Sequence, residues 1–220
     1  MRVYVMVGGP GAGKGTQANR LAERMGLLHL SSGDLFRDNI SRNTPLGKKV
    51  KSYLEKGALV PDDLTVQMIS DRLAQPDADN GVVLDGFPRT RAQAEGLDKM
   101  LARLAAKVDQ ALFVDVNRDE VVRRLSGRWV CSASPDHVYH TIARPAKVPG
   151  KCDIDGAPLV QREDDKPQTI RARLTAQLPP MYEVVDYYAD HGVLSTVDAS
   201  QPIDDVSEAL MRAIAQPARG

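Results

Sequence analysis

The chain has 220 residues, enough to bury one main core with insertions, and its 29 Lys plus Arg balance its 29 Asp plus Glu. That balance excludes a broad basic field for nucleic acid and an acidic tail, and two cysteines exclude a disulfide scaffold, leaving them as ligands or buried thiols. No apolar run approaches a membrane span and the opening VYVMV is too short for a signal segment, so the expectation is a cytoplasmic, monomeric protein with neither membrane nor nucleic acid as a partner.

The first predicted element is a strand, Val3 to Val7, which feeds into GGPGAGKGTQ. Gly8, Gly11 and Gly13 permit backbone angles that a side chain forbids, so the loop can wrap an anion with its N–H groups pointing inward. Lys14 adds a cation at the start of a helix whose dipole already favours phosphate. The match to G-x-x-x-x-G-K-[ST] has one irregularity: Gly15 takes the hydroxyl position and Thr16 follows, which argues against direct Mg²⁺ ligation by that hydroxyl. A glycine turn that merely joined strand to helix would need neither the lysine nor the spacing.

The first helix runs from about Lys14 and is stopped by Gly26, and a strand follows at Leu27 to Leu30. From Ser31 to about Val60 come the helical pieces DLFRDNI and LGKKVKSYLEKG without an intervening strand, which reads as a helical insertion. A strand at Val82 to Leu84 precedes a helix that Thr90 caps and that turns Leu97, Met100, Leu101 and Leu104 to the core. Further strands at Ala111 to Val116 and Val193 to Val197 lead to a last helix with Val206, Ala209, Leu210, Ala213 and Ile214 as its core stripe. Short apolar runs separated by helices predict an α/β fold, a doubly wound parallel five-stranded sheet with a crevice at the C-terminal ends of its strands. Gly127 to about Asp165 breaks the alternation: it is rich in Pro, Gly and polar residues, with β-prone HVYHTIA, and reads as a small β-rich subdomain. The division is a core of residues 1–30, 61–126 and 166–220, a helical insertion at 31–60 and the β-rich segment at 127–165.

Asp85 ends a buried strand in VVLDGFPRT, where a P-loop enzyme needs a carboxylate to hold hydrated metal on nucleotide phosphates. An Asp after an apolar run is by itself a turn or cap residue; the phosphate loop at the same sheet edge reverses that reading. Gly86 and Pro88 shape a tight turn that presents Arg89. Phosphoryl transfer between two nucleotides must neutralise several anionic oxygens, for which guanidinium forks are suited. Arg124 and Arg128 share a helical face if the helix of DEVVRRLSGR persists that far; the alternative is an ordinary surface pair between Glu120 and Arg124. Arg162 and Arg173 flank the end of the β-rich segment, where the same surface default applies.

GGPGAGKGTQ, SSGDLFR, DGFPRT, RLSGR and QREDD followed by TIRARL occur in this order over nearly the whole chain, and with them the sequence resembles the long-lid adenylate kinases. The resemblance implies reversible transfer from MgATP to AMP giving two ADP, with a P-loop core, an AMP-binding insertion and a mobile lid. It implies ATP-phosphate contacts for Gly11, Ala12, Gly13, Lys14, Gly15 and Thr16. It implies AMP contacts for Ser32, Arg37, Ala58, Leu59, Val60, Gly86, Phe87, Pro88, Arg89 and Gln93. Arg124, Arg128, Arg162 and Arg173 would surround the phosphates, with Val138 and Tyr139 beside the adenine or ribose of ATP. Gln201 stands where many relatives carry a lysine; a backbone carbonyl contact to adenine survives that exchange, a side-chain contact need not. Two rival readings share the phosphate machinery. One is a kinase accepting UMP or CMP, where short lids are usual; the other is a non-catalytic ATP-binding switch, in which the second set of arginines has no purpose.

Within the lid, CSASPDH and CDID place Cys131, Ser134, His137, Cys152 and Asp155 in two clusters about twenty residues apart. Related lids often carry C-x-x-C followed by C-x-x-[CD], and here Ser134 replaces the second cysteine. His137 can supply the missing nitrogen, giving Cys131, His137, Cys152 and Asp155 as tetrahedral ligands for a structural Zn²⁺, Co²⁺ or Fe²⁺. A metal-free polar cluster and a Cys131–Cys152 disulfide are the alternatives, the last disfavoured in a reducing cytosol.

Overall fold

The computed structural model describes residues 1–134 and 136–216, with only the backbone of Pro167 and Gln168. Strand β1 (Arg2–Val7) leads through the glycine loop into α1 (Lys14–Met25), and β2 (Leu28–Ser31) follows. Helices α2 (Ser32–Ser41) and α3 (Pro45–Glu55) come next with no strand between them, then α4 (Asp62–Leu73), β3 (Gly81–Asp85) and α5 (Arg91–Arg103). After β4 (Gln110–Asp115) and α6 (Arg118–Ser126) the chain forms three short strands, β5 (Arg128–Cys131), β6 (Val138–His140) and β7 (Leu159–Val160). The long α7 (Pro167–Asp190), β8 (Leu194–Asp198) and α8 (Ile203–Ala215) complete it.

The main sheet has the order β2-β3-β1-β4-β8 with every neighbouring pair parallel. Val3, Val5, Val82, Leu84, Ala111 and Phe113 face an apolar layer built with α4, α5 and α7. Tyr4, Met6, Val83, Leu112 and Val114 face the opposite layer, built with α1 and α8. Because both faces are covered, the inner strands β1, β3 and β4 are mainly apolar along their length, while the edge strands β2 (LHLS) and β8 (LSTVD) carry polar residues. From β1 the chain goes to β2 and β3 on one side, then crosses to β4 and β8 on the other. The connections therefore diverge at the C-terminal strand ends and open a crevice there.

Local chemistry sets the element ends. Gly26, at φ +65°, closes α1 by donating its N–H to the Ala22 and Glu23 carbonyls. The side chains of Ser31, Thr90 and Asn117 accept from the N–H groups of Asp34, Gln93 and Glu120, capping α2, α5 and α6.

Two expectations fail. Leu104 is 51% exposed, because α5 ends at Arg103 and Ala105, at φ +50°, turns the chain away from the core. Arg128 does not continue the helix of Arg124: α6 stops at Ser126 and Arg128 opens β5. A Cβ at Gly127 would lie 2.4 Å from His140 Nε2, so the small sheet packs directly against the helix end and diverts the chain there. That small sheet is antiparallel, in the order β6-β5-β7, around Cys131, Tyr139 and Cys152.

Candidate active site

The glycine loop joins β1 to α1 at the crevice. Gly11 and Gly13 sit at φ +79° and +97°, and a Cβ on Gly11 would fall 2.7 Å from Leu125 Cγ. Gly13 caps α1, so the first N–H groups of the helix open onto the loop. Lys14 Nζ donates to the Gly9 carbonyl at 2.8 Å, spanning the loop. Burial pushes the Lys14 ammonium down to about 7, opposed by Asp85 and reinforced by Arg89, Arg173 and Arg128. A cation held among like charges gains most when an anion arrives.

Above the loop lies a cleft of about 1280 Å³. Gly11 to Thr16, Asp85, Gly86, Arg89 and Gln93 border it from the sheet edge, and Ser32, Arg37 and Ala58 to Val60 from the helical segment. Arg124, Arg128, Val138, Tyr139, Arg162, Arg173 and Gln201 border it from the other side. Phe87 and Pro88 are not brought there. Phe87 is fully buried in the core, and Pro88 borders a separate cavity of about 40 Å³ shared with Lys14 and Arg89.

The arginines are held mainly by carboxylates and carbonyls. Arg128 donates twice to Asp165, at 2.7 and 2.5 Å, and Arg173 donates to the same carboxylate at 2.9 Å. Arg37 donates to Asp34 at 3.2 and 2.5 Å, and Arg162 lies 3.9 Å from that carboxylate. Burial would raise the Asp34 carboxyl, but Arg37 and Arg162 hold it below the usual range. The pair of Glu120 with Arg124 is present at 2.7 Å, yet Arg124 also donates to the Ala199 carbonyl at 2.8 Å, which fixes it over the cleft. Arg89 donates from Nε to the Gly86 carbonyl at 2.7 Å and from Nη1 to Gln177 Oε1 at 3.1 Å. Burial pushes Arg89 and Arg162 each down to about 10, with Arg173 and Arg37 the next contributors respectively. Gln93 accepts from the Arg89 N–H and donates to Asp62, both at 2.7 Å, while Ser32 Oγ donates to the Gly86 carbonyl at 2.6 Å.

Asp85 stands at the end of β3 with His29 Nε2 3.9 Å from its Oδ2. A Cβ on Gly15 would lie 3.3 Å from that same oxygen, so glycine at the usual hydroxyl position leaves this carboxylate room against the loop. Burial alone would raise the Asp85 carboxyl; His29 and Lys14 hold it below the carboxylate range. An ionised oxygen donor at this edge fits a hydrated Mg²⁺. The partners Asp34, Asp164, Asp165 and Gln177 were not foreseen as site residues. The acidic pair in QREDDK was a signal for Asp164 and Asp165; nothing local marks Gln177.

The second cluster is in the small sheet. Cys131 Sγ lies 3.3 Å from both Asp155 oxygens, His137 Nδ1 is 3.1 Å from Asp155 Oδ2, and Cys152 Sγ is 3.4 Å from His137 Nδ1. All four ligand atoms fall within 4.8 Å of one another. Zinc bonds of usual length place tetrahedral ligands about 3.3–3.8 Å apart, so this donor set fits such an ion. Tyr139 OH lies 3.4 Å from Cys152 Sγ and accepts from the Asp153 N–H at 2.7 Å, holding one ligand from outside. The two cysteines are free thiols, so the disulfide alternative is not realised. No helix among the described residues is long and apolar enough to cross a membrane.

The family model described as adenylate kinase matches residues 6–193. An adenylate kinase of Streptomyces coelicolor is 48% identical over 214 residues, covering 97% of this chain and 98% of that protein. Adenylate kinases of Agathobacter rectalis and Listeria innocua are each 46% identical, covering 94% and 92% of this chain and 96% and 94% of their own lengths. With its phosphate loop, its arginine set and this full-length similarity, the chain belongs to the adenylate kinase family.

Proposed function

We propose that MgATP lies over the loop of residues 11–16 and AMP lies between the helical segment and residues 86–93, so that the reacting phosphates meet among Lys14, Arg89, Arg124, Arg128, Arg162 and Arg173. The reaction is the family's ATP:AMP phosphoryl transfer, giving two ADP. What carries the reading is that all six cations open onto one cleft. The γ-phosphoryl group passes in line to AMP, and the protein supplies position and charge rather than a nucleophile. Mg²⁺, held through water by Asp85, supplies further neutralisation of the phosphates when bound.

On the donor side, the N–H groups from Gly11 to Thr16 take the ATP phosphates, and Val138, Tyr139 and Gln201 border its base and ribose. On the acceptor side, Ser32, Arg37, Ala58, Leu59, Val60, Gly86, Arg89 and Gln93 hold AMP, with Phe87 and Pro88 supporting the turn from beneath. Residues 127–165 act as the lid that excludes water, a competing acceptor, and strengthens each ionic contact. Residues 31–60 act as the AMP-binding unit on a core of 1–30, 61–126 and 166–220. Cys131, His137, Cys152 and Asp155 hold one structural Zn²⁺, Co²⁺ or Fe²⁺, away from the transferred group. The enzyme works as a cytoplasmic monomer on ATP, AMP and ADP, with no nucleic acid or membrane as partner.

A coupled assay with AMP, CMP, UMP and GMP as acceptors tests this, with AMP expected at the highest kcat/KM. Preference for UMP or CMP would replace it with a sibling kinase, and ATP binding without AMP-dependent turnover with a switch protein. A mimic joining two adenosines through five phosphates must also bind; no binding overturns the two-site cleft.

A further inference from the structure

Gln177 lies on α7 between the phosphate arginines and the helical segment, and its side chain is almost wholly buried. Its amide is used at both ends. Oε1 accepts from Arg89 Nη1 at 3.1 Å, while Nε2 donates to the Gly57 carbonyl at 2.8 Å. Gly57 immediately precedes Ala58 to Val60, which border the acceptor side of the cleft. It rests directly on α7: at φ +70°, a Cβ there would lie 2.5 Å from Arg173 Cγ. Arg89 is already pinned at Nε by the Gly86 carbonyl at 2.7 Å. One contact leaves a planar fork free to swing about that point, and the second contact, to Gln177, removes the swing.

We propose that Gln177 is a positioning residue for the acceptor nucleotide: its amide ties the Arg89 fork to the Gly57 carbonyl, so that the arginine faces the acceptor phosphate when the Gly57–Val60 segment is seated on α7. The proposal rests on the reading of Arg89 as a ligand of the AMP phosphate. An amide suits this task because it accepts from a cation and donates to a carbonyl at once, which neither a carboxylate nor an apolar side chain does. The seat of the AMP base and the orientation of the phosphate-binding arginine thereby become one event.

The test is a double-mutant cycle on the full-length enzyme. AMP binding is measured by calorimetry, and KM for AMP and for ATP by steady-state kinetics, for Gln177→Leu, Gln177→Met, Arg89→Ala and Gln177→Leu with Arg89→Ala. Both Gln177 variants keep side-chain bulk, and thermal melting confirms that each is folded. The expected result is weaker AMP binding and a KM for AMP raised about tenfold in the Gln177 variants, the scale of one lost charge-assisted hydrogen bond, with KM for ATP unchanged within about twofold. In the Arg89→Ala background the Gln177→Leu change should then cost less than about twofold, because the group it acts through is gone. Unchanged KM for AMP in folded Gln177 variants, or equal losses with and without Arg89, would overturn the relay while leaving the role of Arg89 intact. Undiminished AMP binding by Arg89→Ala would instead remove the reading of Arg89, and the relay with it.

Discussion

The cleft and the small sheet both gather polar side chains around a space for an ion, but they are held together differently. Lys14, Asp85, Arg89, Arg124 and Arg173 come from separate strands, helices and turns, packed on the two layers of the main core or on the smaller apolar cluster of Val121, Leu125, Ile170 and Leu174. Cys131, His137, Cys152 and Asp155 come from one stretch of chain whose buried apolar centre is Cys131, Tyr139 and Cys152, two of them candidate ligands themselves. In the small sheet the ion would take the place of a core, as in other domains too small to bury enough apolar surface.

The comparison can be broken most sharply at the cleft. Lys14→Ala or Arg89→Ala should lower kcat/KM by about a thousandfold, the scale of losing one preorganised phosphate-stabilising charge, while far-UV circular dichroism and melting stay near the parent values. Near-normal turnover in either purified variant would show that the cation has another role. Next in size is Asp165→Asn. The residue is fully buried and bonded to both Arg128 and Arg173, so removing its charge should cost about 3 kcal/mol in urea unfolding, as when one partner of a buried pair is deleted. A change below about 1 kcal/mol would mean that solvent screens the pair.

In the small sheet, elemental analysis of washed protein should find about one Zn, Co or Fe per chain, lost in Cys152→Ser with a fall of about 6 °C in melting midpoint. Turnover at 25 °C should change by no more than about threefold, since an ion held by four side chains keeps no open position for substrate. A clean zero in the parent protein would favour the metal-free polar cluster. Smallest is Gly11→Ala, where the left-handed backbone and the approach of Leu125 together predict a loss of about 1–2 kcal/mol in stability. No loss would mean that the loop relaxes around a methyl group.

Much of this arrangement was legible because it depends on local chemistry. Short runs rich in apolar residues marked all five sheet strands, Gly26 and Thr90 marked helix ends, and the loop from Gly8 to Thr16 marked the strand-to-helix turn at the crevice. What escaped depends on contacts distant in sequence. Gly127 gives no sign that His140 will press against it, so the turn that puts Arg128 on β5 was invisible. Leu104 fits the apolar spacing of α5, but the positive φ of Ala105 ends the pattern one residue too soon. Gln177 lies 88 positions from Arg89 and 120 from Gly57, a separation that no spacing argument spans.

On the proposed reading, the ion pairs that line the cleft would make nucleotide binding an exchange rather than an addition. Arg37 rests on Asp34, Arg128 on Asp165, and Arg173 on Asp164 and Asp165, so a phosphate bound by these forks would compete with a resident carboxylate for each. Part of the Coulomb gain is thereby cancelled, and a departing product hands each arginine back to its internal counter-ion instead of stranding a bare charge. For a reaction that runs in both directions with highly charged ligands on either side, that substitution would let turnover proceed without trapping the enzyme on its own product.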